Sequence, residues 1–317
     1  MVDSKQIERT KSIQRRTGRT FHVATRFLPE YARHPTYVLY AFFRVADKVV
    51  DDAGDTPAEE QAAQLEAFRE QALGESEPEG PVLEAFHDIA VEHDISEREI
   101  DDFIDAMKTD IYKSRYETYA ELEAYMRGSA AAVGVMMTEI MDLDQPDAAL
   151  PHAVALGEAF QLTNFLRDVR EDVVDRDRIY LPLETLKEHD ASVEDVENME
   201  FTPEIGSAIQ SEMARTEALY QEGVAGIKYL PEDCQFPVLL SAVLYADHHR
   251  LIRKCGFDTV SNEPDLSMAR KLWLAAWTRW HWQWNRDPEA VFQRVSSISE
   301  TDTPRHDPDR PDTTPAQ

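Results

Sequence analysis

The sequence has few cysteines, few basic residues and no long apolar run. Only Cys234 and Cys255 occur among the 317 residues, which excludes a disulfide framework and a cysteine-based metal site and is typical of a reducing compartment. No window approaches the roughly 18 consecutive apolar residues of a membrane span, and residues 1–16 lack the apolar core of a signal peptide. We therefore expect a cytoplasmic protein that is soluble or at most peripheral to a membrane.

Basic residues are few relative to acidic ones. The chain carries 61 acidic residues against 33 Lys and Arg, a formal net charge of -28. Such a surface repels the phosphates of nucleic acids and anionic membranes. Nucleic acid is therefore excluded as a partner. The same excess of acid is typical of proteins that stay hydrated in concentrated salt, where repulsion is screened, so we expect a high-salt cytoplasm.

Sustained period-two alternation is also missing, whereas apolar residues recur at three and four positions almost throughout, which predicts an all-α fold. We predict one domain over residues 1–298, and a disordered polar tail over 299–317, where Pro and charge are frequent and apolar residues are few. The predicted helices cover residues 20–33, 36–53, 57–73, 80–93, 96–113, 118–142, 147–175, 203–229, 235–255 and 264–286.

The first acidic motif lies in YVLYAFFRVADKVVDD (37–52), a segment that is apolar around nearly its whole helical circumference. Arg44, Asp47 and Asp51 share one face of it. In so acidic a chain, acidic pairs at this spacing occur about ten times by chance, so the spacing alone carries little information. The apolar setting favours a buried functional pair, since buried charges must be paired or bound to a ligand.

A second motif, AVALGEAFQLTNFLRDVRED (153–172), places Asn164, Asp168 and Asp172 on one stripe, with Gln161 and Arg167 beside them. Two such stripes facing each other need cations between the carboxylates. Oxygen ligands without His or Cys indicate a hard cation, usually Mg²⁺ when substrate phosphates complete its shell. The alternative is a buried polar network between helices. We expect the four aspartates to be among the few buried acids of the chain.

Three segments together resemble the squalene/phytoene synthase family, and the resemblance extends from about residue 12 to 285. They are LYAFFRVADKVVDD (39–52), YMRGSAAAVG (125–134) and FQLTNFLRDVREDVVDRDRIYLP (160–182). The resemblance implies the all-α isoprenoid-synthase fold, a single-domain bundle of about ten or more helices around a central cavity.

The resemblance also implies roles for individual residues. Mg²⁺, with Mn²⁺ as a substitute, would be held by Asp47, Asp51, Asp168 and Asp172 with help from Asn164. Tyr125, Asp47 and Asp168 would be catalytic, with Tyr125 near the reacting centre. Seven residues would contact substrate diphosphate, namely Arg19, Thr20, Tyr40, Arg44, Lys108, Arg167 and Tyr245.

The activity implied is head-to-head condensation of two geranylgeranyl diphosphates, through a cyclopropyl diphosphate, to phytoene in carotenoid biosynthesis, without NADPH. Squalene or dehydrosqualene synthesis from two farnesyl diphosphates is the alternative reaction. A non-catalytic helical partner of a prenyl synthase is the alternative of another class. We expect a monomer or weak dimer that contacts a membrane surface transiently to release its product.

Two late features stand apart from these motifs. Trp273, Trp277, Trp280 and Trp284 form one stripe on a predicted helix. The stripe predicts core packing; the alternative is a face that holds apolar product or touches a membrane, and exposure of the indoles distinguishes the two. His248 and His249 lack a metal-ligand pattern and are predicted to serve packing.

Overall fold

The structure is a computed structural model that describes residues 23–298. Between Glu30 and Val295 it contains fourteen α-helices and two short helical segments of other types. The α-helices are α1 (Glu30–Asp51), α2 (Ala58–Ala72), α3 (Pro81–Glu92), α4 (Glu97–Tyr112), α5 (Tyr119–Met126), α6 (Ala132–Glu139), α7 (Pro146–Arg167), α8 (Val169–Arg176), α9 (Leu183–Glu188), α10 (Val193–Glu197), α11 (Pro203–Ala225), α12 (Glu232–Lys254), α13 (Met268–Trp284) and α14 (Pro288–Val295).

The prediction of an all-α fold is confirmed. Within residues 23–298 there is no β-strand, and the one extended pairing is an isolated bridge between Arg115 and Ile179. No helix of this part of the chain combines the length and the apolar composition needed to cross a bilayer. The predicted tail, 299–317, lies outside the described residues.

The helices pack around α7, which lies along α11 in the most extensive helix–helix contact of the fold. On one side, α1 to α6 enclose an apolar core that includes Phe42, Phe86 and Phe103. On the other side, α7 and α11 to α14 share a second core. Because α7 borders both cores, its side chains reach the space between them.

Most helix positions agree with the prediction, and the differences have local causes. The predicted helix 147–175 is divided at Asp168, where the Arg170 amide donates to the Thr259 carbonyl at 3.2 Å instead of to the preceding turn. The bonds on either side persist, since the Asp168 amide donates to Asn164 and the Asp172 amide to Asp168. The acidic stripe is therefore preserved across the break.

The segment YMRGSAAAVG permits close helix contact because its small residues leave room for neighbouring backbone. A five-residue π-helix, Arg127–Ala131, joins α5 to α6. A Cβ atom on Gly128 would overlap the Asp102 carbonyl of α4, and one on Gly157 of α7 would overlap the Ala130 carbonyl. These glycines thus fix how closely the π-helix approaches α4 and α7.

Two expectations about burial are wrong. The four tryptophans of the stripe are exposed, from 39% for Trp277 to 77% for Trp284, because α13 turns its other face to the core and buries Trp282 there. The four aspartates are also not set apart by burial, since Asp47, Asp51 and Asp168 are only half-buried. Asp172 is buried, but so are several acids that form ion pairs or hydrogen bonds elsewhere, including Glu99, Glu212, Glu217 and Asp247.

The close approach at Gly128 predicts a stability effect. We expect Gly128→Ala to lower the free energy of unfolding by about 1–3 kcal/mol, because the new methyl group must displace α4 backbone. Urea denaturation measures it. Gly206→Ala is the control, since its Cβ would meet only the tip of the Phe201 ring at 3.0 Å; an equal loss in both variants would contradict the packing explanation.

Candidate active site

A cavity of about 760 Å³ lies between the two acidic helices. Its walls come from α1, α4, α7 and α8, from the π-helix, and from Arg178 and Tyr180 after α8. Tyr245 of α12 and Lys271 of α13 close another side. Carboxylates and guanidinium groups gather at one end, and apolar side chains line the remainder.

The structure brings together most of the residues singled out in the sequence. Ten of them line this one cavity, namely Tyr40, Arg44, Asp47, Asp51, Tyr125, Asn164, Arg167, Asp168, Asp172 and Tyr245. Arg19 and Thr20, predicted to contact diphosphate, lie outside the described residues. The aspartates of the two acidic motifs, 117 or more residues apart in the chain, thus face the same space.

Lys108 is the exception, and the prediction that it contacts diphosphate is not supported. Its ammonium group is paired with the Glu66 carboxylate of α2. On α4, Phe103, Met107 and Asp110 face the cavity, and the next residue after Met107 is rotated by about 100° around the helix axis. Lys108 therefore points to α2 rather than to the cavity.

Each of the four aspartates predicted to bind a cation is paired with an arginine. Asp51 is bound by two of them, Arg176 at the end of α8 and Arg178 just after it. The pairs are Arg44–Asp47 at 3.0 Å, Arg178–Asp51 at 3.1 Å, Arg176–Asp51 at 3.5 Å, Arg176–Asp172 at 3.0 Å, and Arg167–Asp168 with Nε to Oδ1 at 2.6 Å. These guanidinium groups compensate carboxylates that would otherwise repel one another.

Burial still disfavours the charged form of two aspartates. It raises the pKa of Asp47 to about 7, against the opposing effect of Arg44, and Asp51 and Asp110 raise it further. Burial likewise raises the pKa of Asp172 to about 8, although Arg176 opposes this. Both groups are thus prepared to exchange a proton for another cation near neutral pH.

Asp110 is a site residue that the sequence analysis missed. Tyr125 donates its hydroxyl to the Asp110 carboxylate at 2.8 Å, Tyr180 does so at 3.4 Å, and Arg178 donates to the Asp110 carbonyl at 3.0 Å. Burial raises the pKa of Asp110 to about 6, partly offset by Arg178. No paired acid at helical spacing marks it, because its partners come from other segments.

Residues 178–182 (RIYLP), at the end of the segment 160–182, alternate between polar and apolar surroundings because their backbone is extended. The Ile179 amide donates to the Ser114 carbonyl at 2.9 Å, so successive side chains point to opposite sides. Arg178 and Tyr180 face the cavity, whereas Ile179 and Leu181 pack into the third core, formed by α8 to α12. The alternation explains why charged and apolar residues are interleaved there.

The deeper part of the cavity is apolar and aromatic. The Phe165 and Tyr180 rings stack with centroids 3.8 Å apart, and Phe43 contacts Phe103 at 4.8 Å. A smaller apolar cavity of about 130 Å³ adjoins it and shares the wall residues Val133, Gly157 and Phe160. The combined space suits long hydrocarbon chains attached to charged head groups.

The donor set fits a hard cation only in part. Asp47, Asp51, Asp168 and Asp172 offer oxygen ligands of the kind that Mg²⁺ prefers. However, within residues 23–298 no three acidic, His or Cys side chains lie close enough to hold a metal ion by themselves. Mg²⁺ is commonly bound through one or two carboxylates with substrate phosphates completing the shell, and that arrangement is compatible with these residues.

The packing role predicted for His248 and His249 agrees with their burial, at 1% and 0% exposure. His249 lies between Thr163, at 3.0 Å, and Glu217, at 2.9 Å. His248 lies 3.4 Å from a guanidinium nitrogen of Arg167, and burial, together with that charge, lowers its pKa to about 3. A neutral His248 thus packs against the Arg167 guanidinium group.

Comparison with known proteins agrees with this geometry. The family model described as Squalene/phytoene synthase matches residues 14–281. The chain is 29% identical to the 15-cis-phytoene synthase of Synechococcus elongatus, over 85% of this chain and 91% of that protein. It is 34% identical to the phytoene synthase of Thermus thermophilus, over 82% of this chain and 85% of that protein.

Among solved structures, the chain is similar to a dehydrosqualene synthase crystallised with a ligand. The TM-score is 0.80 at 26% sequence identity, and the match covers 89% of this chain and 98% of that one. Residues 14–281, which the family model matches, contain both acidic motifs and the cavity between them. The chain therefore belongs to the squalene/phytoene synthase family of prenyltransferase-type enzymes.

Proposed function

We propose that the protein is a phytoene synthase, which joins two molecules of geranylgeranyl diphosphate head to head through a cyclopropyl diphosphate intermediate. The observation that carries the proposal is the cavity itself, in which arginine-paired aspartates of α1, α7 and α8 stand at one end of an aromatic, apolar space. The names of the curated relatives support the choice of product.

The arginines of the cavity supply the binding of diphosphate. Guanidinium groups form paired hydrogen bonds with phosphate oxygens, and Arg44, Arg167, Arg176 and Arg178 all line the cavity. Each already holds an aspartate. Binding of substrate with its cations would therefore exchange partners, so that arginines turn to phosphate and aspartates to cations.

Mg²⁺, held by Asp47, Asp51, Asp168 and Asp172 with Asn164 beside them, would neutralise the negative charge that develops on the leaving diphosphate. The protein's own arginines add to the same electrostatic stabilisation of the leaving diphosphate.

The non-catalytic alternative, a helical partner of a prenyl synthase, is disfavoured because a partner protein has no need for four acids and four arginines in one cavity.

The apolar walls protect the carbocation that remains after diphosphate leaves. Phe43, Phe165 and Tyr180 exclude water, and their ring faces attract positive charge. Burial raises the pKa of Tyr125 well above its usual range, so its hydroxyl stays protonated and bound to Asp110. Tyr125 thus presents a fixed aromatic face to the reacting carbons without becoming a base.

The proposed reaction balances without a reductant. Two geranylgeranyl diphosphates lose two diphosphates and two protons, one proton when the cyclopropane ring closes and one from the final carbocation, and one carbon–carbon bond joins the C20 units into phytoene. Squalene formation would instead need hydride from NADPH. The likeness to a dehydrosqualene synthase structure keeps condensation of two farnesyl diphosphates as the second candidate.

Product analysis tests the proposal. We expect purified protein with geranylgeranyl diphosphate and Mg²⁺, in high salt and without NADPH, to yield phytoene in the lipid extract. Parallel reactions contain farnesyl diphosphate, with and without NADPH. If farnesyl diphosphate but not geranylgeranyl diphosphate were converted, the substrate assignment would be wrong. A product that forms only with NADPH would show that the reaction includes a reduction.

The role of the aspartates is tested on α8. We expect Asp172→Asn to lower kcat/KM by at least about 100-fold, since removing one charged group from a preorganised site commonly costs about this much. Asp175→Asn is the matched control, because Asp175 is exposed on the same helix and is not among the cavity residues. Equal activity of the two variants would refute the assignment.

The raised pKa values predict a pH dependence. A carboxyl with a pKa above its unfolded value binds more protons when folded, so its contribution to stability is lost as pH rises through about 7 for Asp47 and about 8 for Asp172. Cations compete with those protons. We expect the increase in Tm caused by Mg²⁺ with inorganic diphosphate to grow as pH rises from about 6 to about 9.

Thermal unfolding of the full chain at a series of pH values measures this effect. Asp172→Asn should reduce the pH dependence of the Mg²⁺ increment, and Asp175→Asn should leave it as in the parent protein. A Mg²⁺ increment that is largest at the acidic end of the series would show that the aspartates do not bind the cation.

A further inference from the structure

Helix α13 presents its apolar side to solvent. Its outward positions follow the helical repeat and include Leu272, at 60% exposure, with Trp280 at 55% and Trp284 at 77%. We call this surface the α13 aromatic face, and it consists of Leu272, Trp273, Ala276, Trp277, Trp280 and Trp284. The indoles are ordered against one another, since the Trp273 and Trp277 rings stack at 5.9 Å.

The inward side of α13 is partly polar. It buries Lys271 and Thr278, at 3% and 0% exposure, together with Leu274, Ala275 and Trp282. The exposed side carries Arg279 and Gln283 as well as the indoles, whereas a surface helix of a water-soluble domain ordinarily exposes mainly polar residues. Large exposed apolar patches mark interaction sites in soluble proteins, so the orientation of α13 calls for an apolar partner.

The charge of this helix differs from that of the whole chain. No acidic residue lies between Asp265 and Asp287, although the protein carries 61 acids in all. Arg279 and Arg286 are exposed, and neither forms an ion pair with a carboxylate in the part of the chain that the structure describes. Arg279 thus shares α13 with the tryptophans, and Arg286 lies two residues after the helix ends at Trp284.

We propose that the α13 aromatic face binds the surface of an anionic lipid bilayer. Tryptophan is suited to the boundary of a membrane because its ring is apolar and its N–H is polar. Arg279, whose guanidinium group lies over the Phe236 ring, and Arg286 offer positive charge to anionic head groups, and their long stems let the charge reach the water while the chain stays in contact with lipid. The helix lies in the plane of the interface.

A second copy of the chain fits this face less well than lipid. The net charge of -28 opposes the approach of a second copy and of an anionic bilayer alike. That repulsion is screened beyond a Debye length of about 10 Å at 0.1 M salt, so the residues at the contact decide between the two. A symmetric contact through one helix would bring Arg279 and Arg286 of both copies together. A bilayer with anionic head groups offers negative charge to Arg279 and Arg286 and an apolar interior to the indoles. Residues 273–284 span about 17 Å along the helix axis, enough to place four indoles side by side.

The α13 aromatic face and the cavity lie on opposite sides of the same helix. Lys271, on the inward side of α13, lines the cavity, as do Glu263 and Asp265 in the segment before the helix. A membrane on the outward side would thus lie one helix away from the cavity wall. If the proposed function holds, docking there shortens the path by which an apolar product reaches lipid.

Vesicle binding by the full-length protein tests the proposal. The probes are vesicles of phosphatidylcholine, alone or mixed with phosphatidylglycerol, at about 0.1 M salt, where the Debye length is about 10 Å, and at about 1 M, where it is about 3 Å. We expect binding to mixed vesicles with a blue shift of tryptophan emission. Trp280→Gln with Trp284→Gln should weaken partitioning at least about tenfold, or about 1.4 kcal/mol, at both salt concentrations.

Two further pairs of substitutions serve as controls. Arg279→Gln with Arg286→Gln should weaken binding at low salt and have little effect at high salt. Val91→Gln with Tyr112→Gln alters two other exposed apolar residues, at 71% and 67% exposure, and should leave binding unchanged. Both control pairs lie outside the cavity lining.

Two results would overturn the proposal. One is vesicle binding that the tryptophan pair does not weaken. The other is a dimer, detected by light scattering, that the same pair dissociates, which would identify a second copy as the partner of the face. Neither measurement needs substrate or turnover, so failure of membrane binding is distinguishable from failure of the proposed reaction.

Discussion

Carboxylates inside an apolar helical bundle need positive charge beside them, and this requirement organises the cavity. Four arginines, from α1, α7, α8 and the segment after α8, pair with the four aspartates. Arg178 reaches Asp51 only because the chain after α8 runs in extended form beside residues 114–116. The ion pairs thus tie α1 to the segment after α8 across the cavity, and they hold in place the groups that a diphosphate would need.

The second constraint is close backbone contact around this polar end. The π-helix after α5 brings Ser129 and Ala130 to the cavity, and glycines on both sides allow the carbonyl groups of one helix to touch the next. Aromatic side chains, among them Phe43, Phe103 and Phe165, line the apolar part of the cavity. The same bundle therefore contains a charged region for head groups and a hydrocarbon-like region for chains.

Local patterns in the sequence predicted the features that depend on neighbours in the chain. Helical periodicity identified most of the helices, but α9, α10 and α14 were missed because helices of five to eight residues give few turns of periodic signal. The acidic motifs were recognised by their apolar surroundings. Asp110 was not, since the side chains that define its environment, Tyr125 and Tyr180, are distant in sequence.

By itself, the sequence determined the all-α class and the two acidic motifs, because helical spacing and apolar surroundings are encoded within single segments, whereas cavity residues such as Tyr40, Tyr125 and Tyr245 were predicted only through the family resemblance. Only the tertiary structure decided which way a helix turns. It directed Lys108 to Glu66 instead of the cavity, and it turned the tryptophans of α13 outward while Lys271 became buried. A periodic stripe fixes which residues share a face of a helix, but the surrounding helices determine what that face meets.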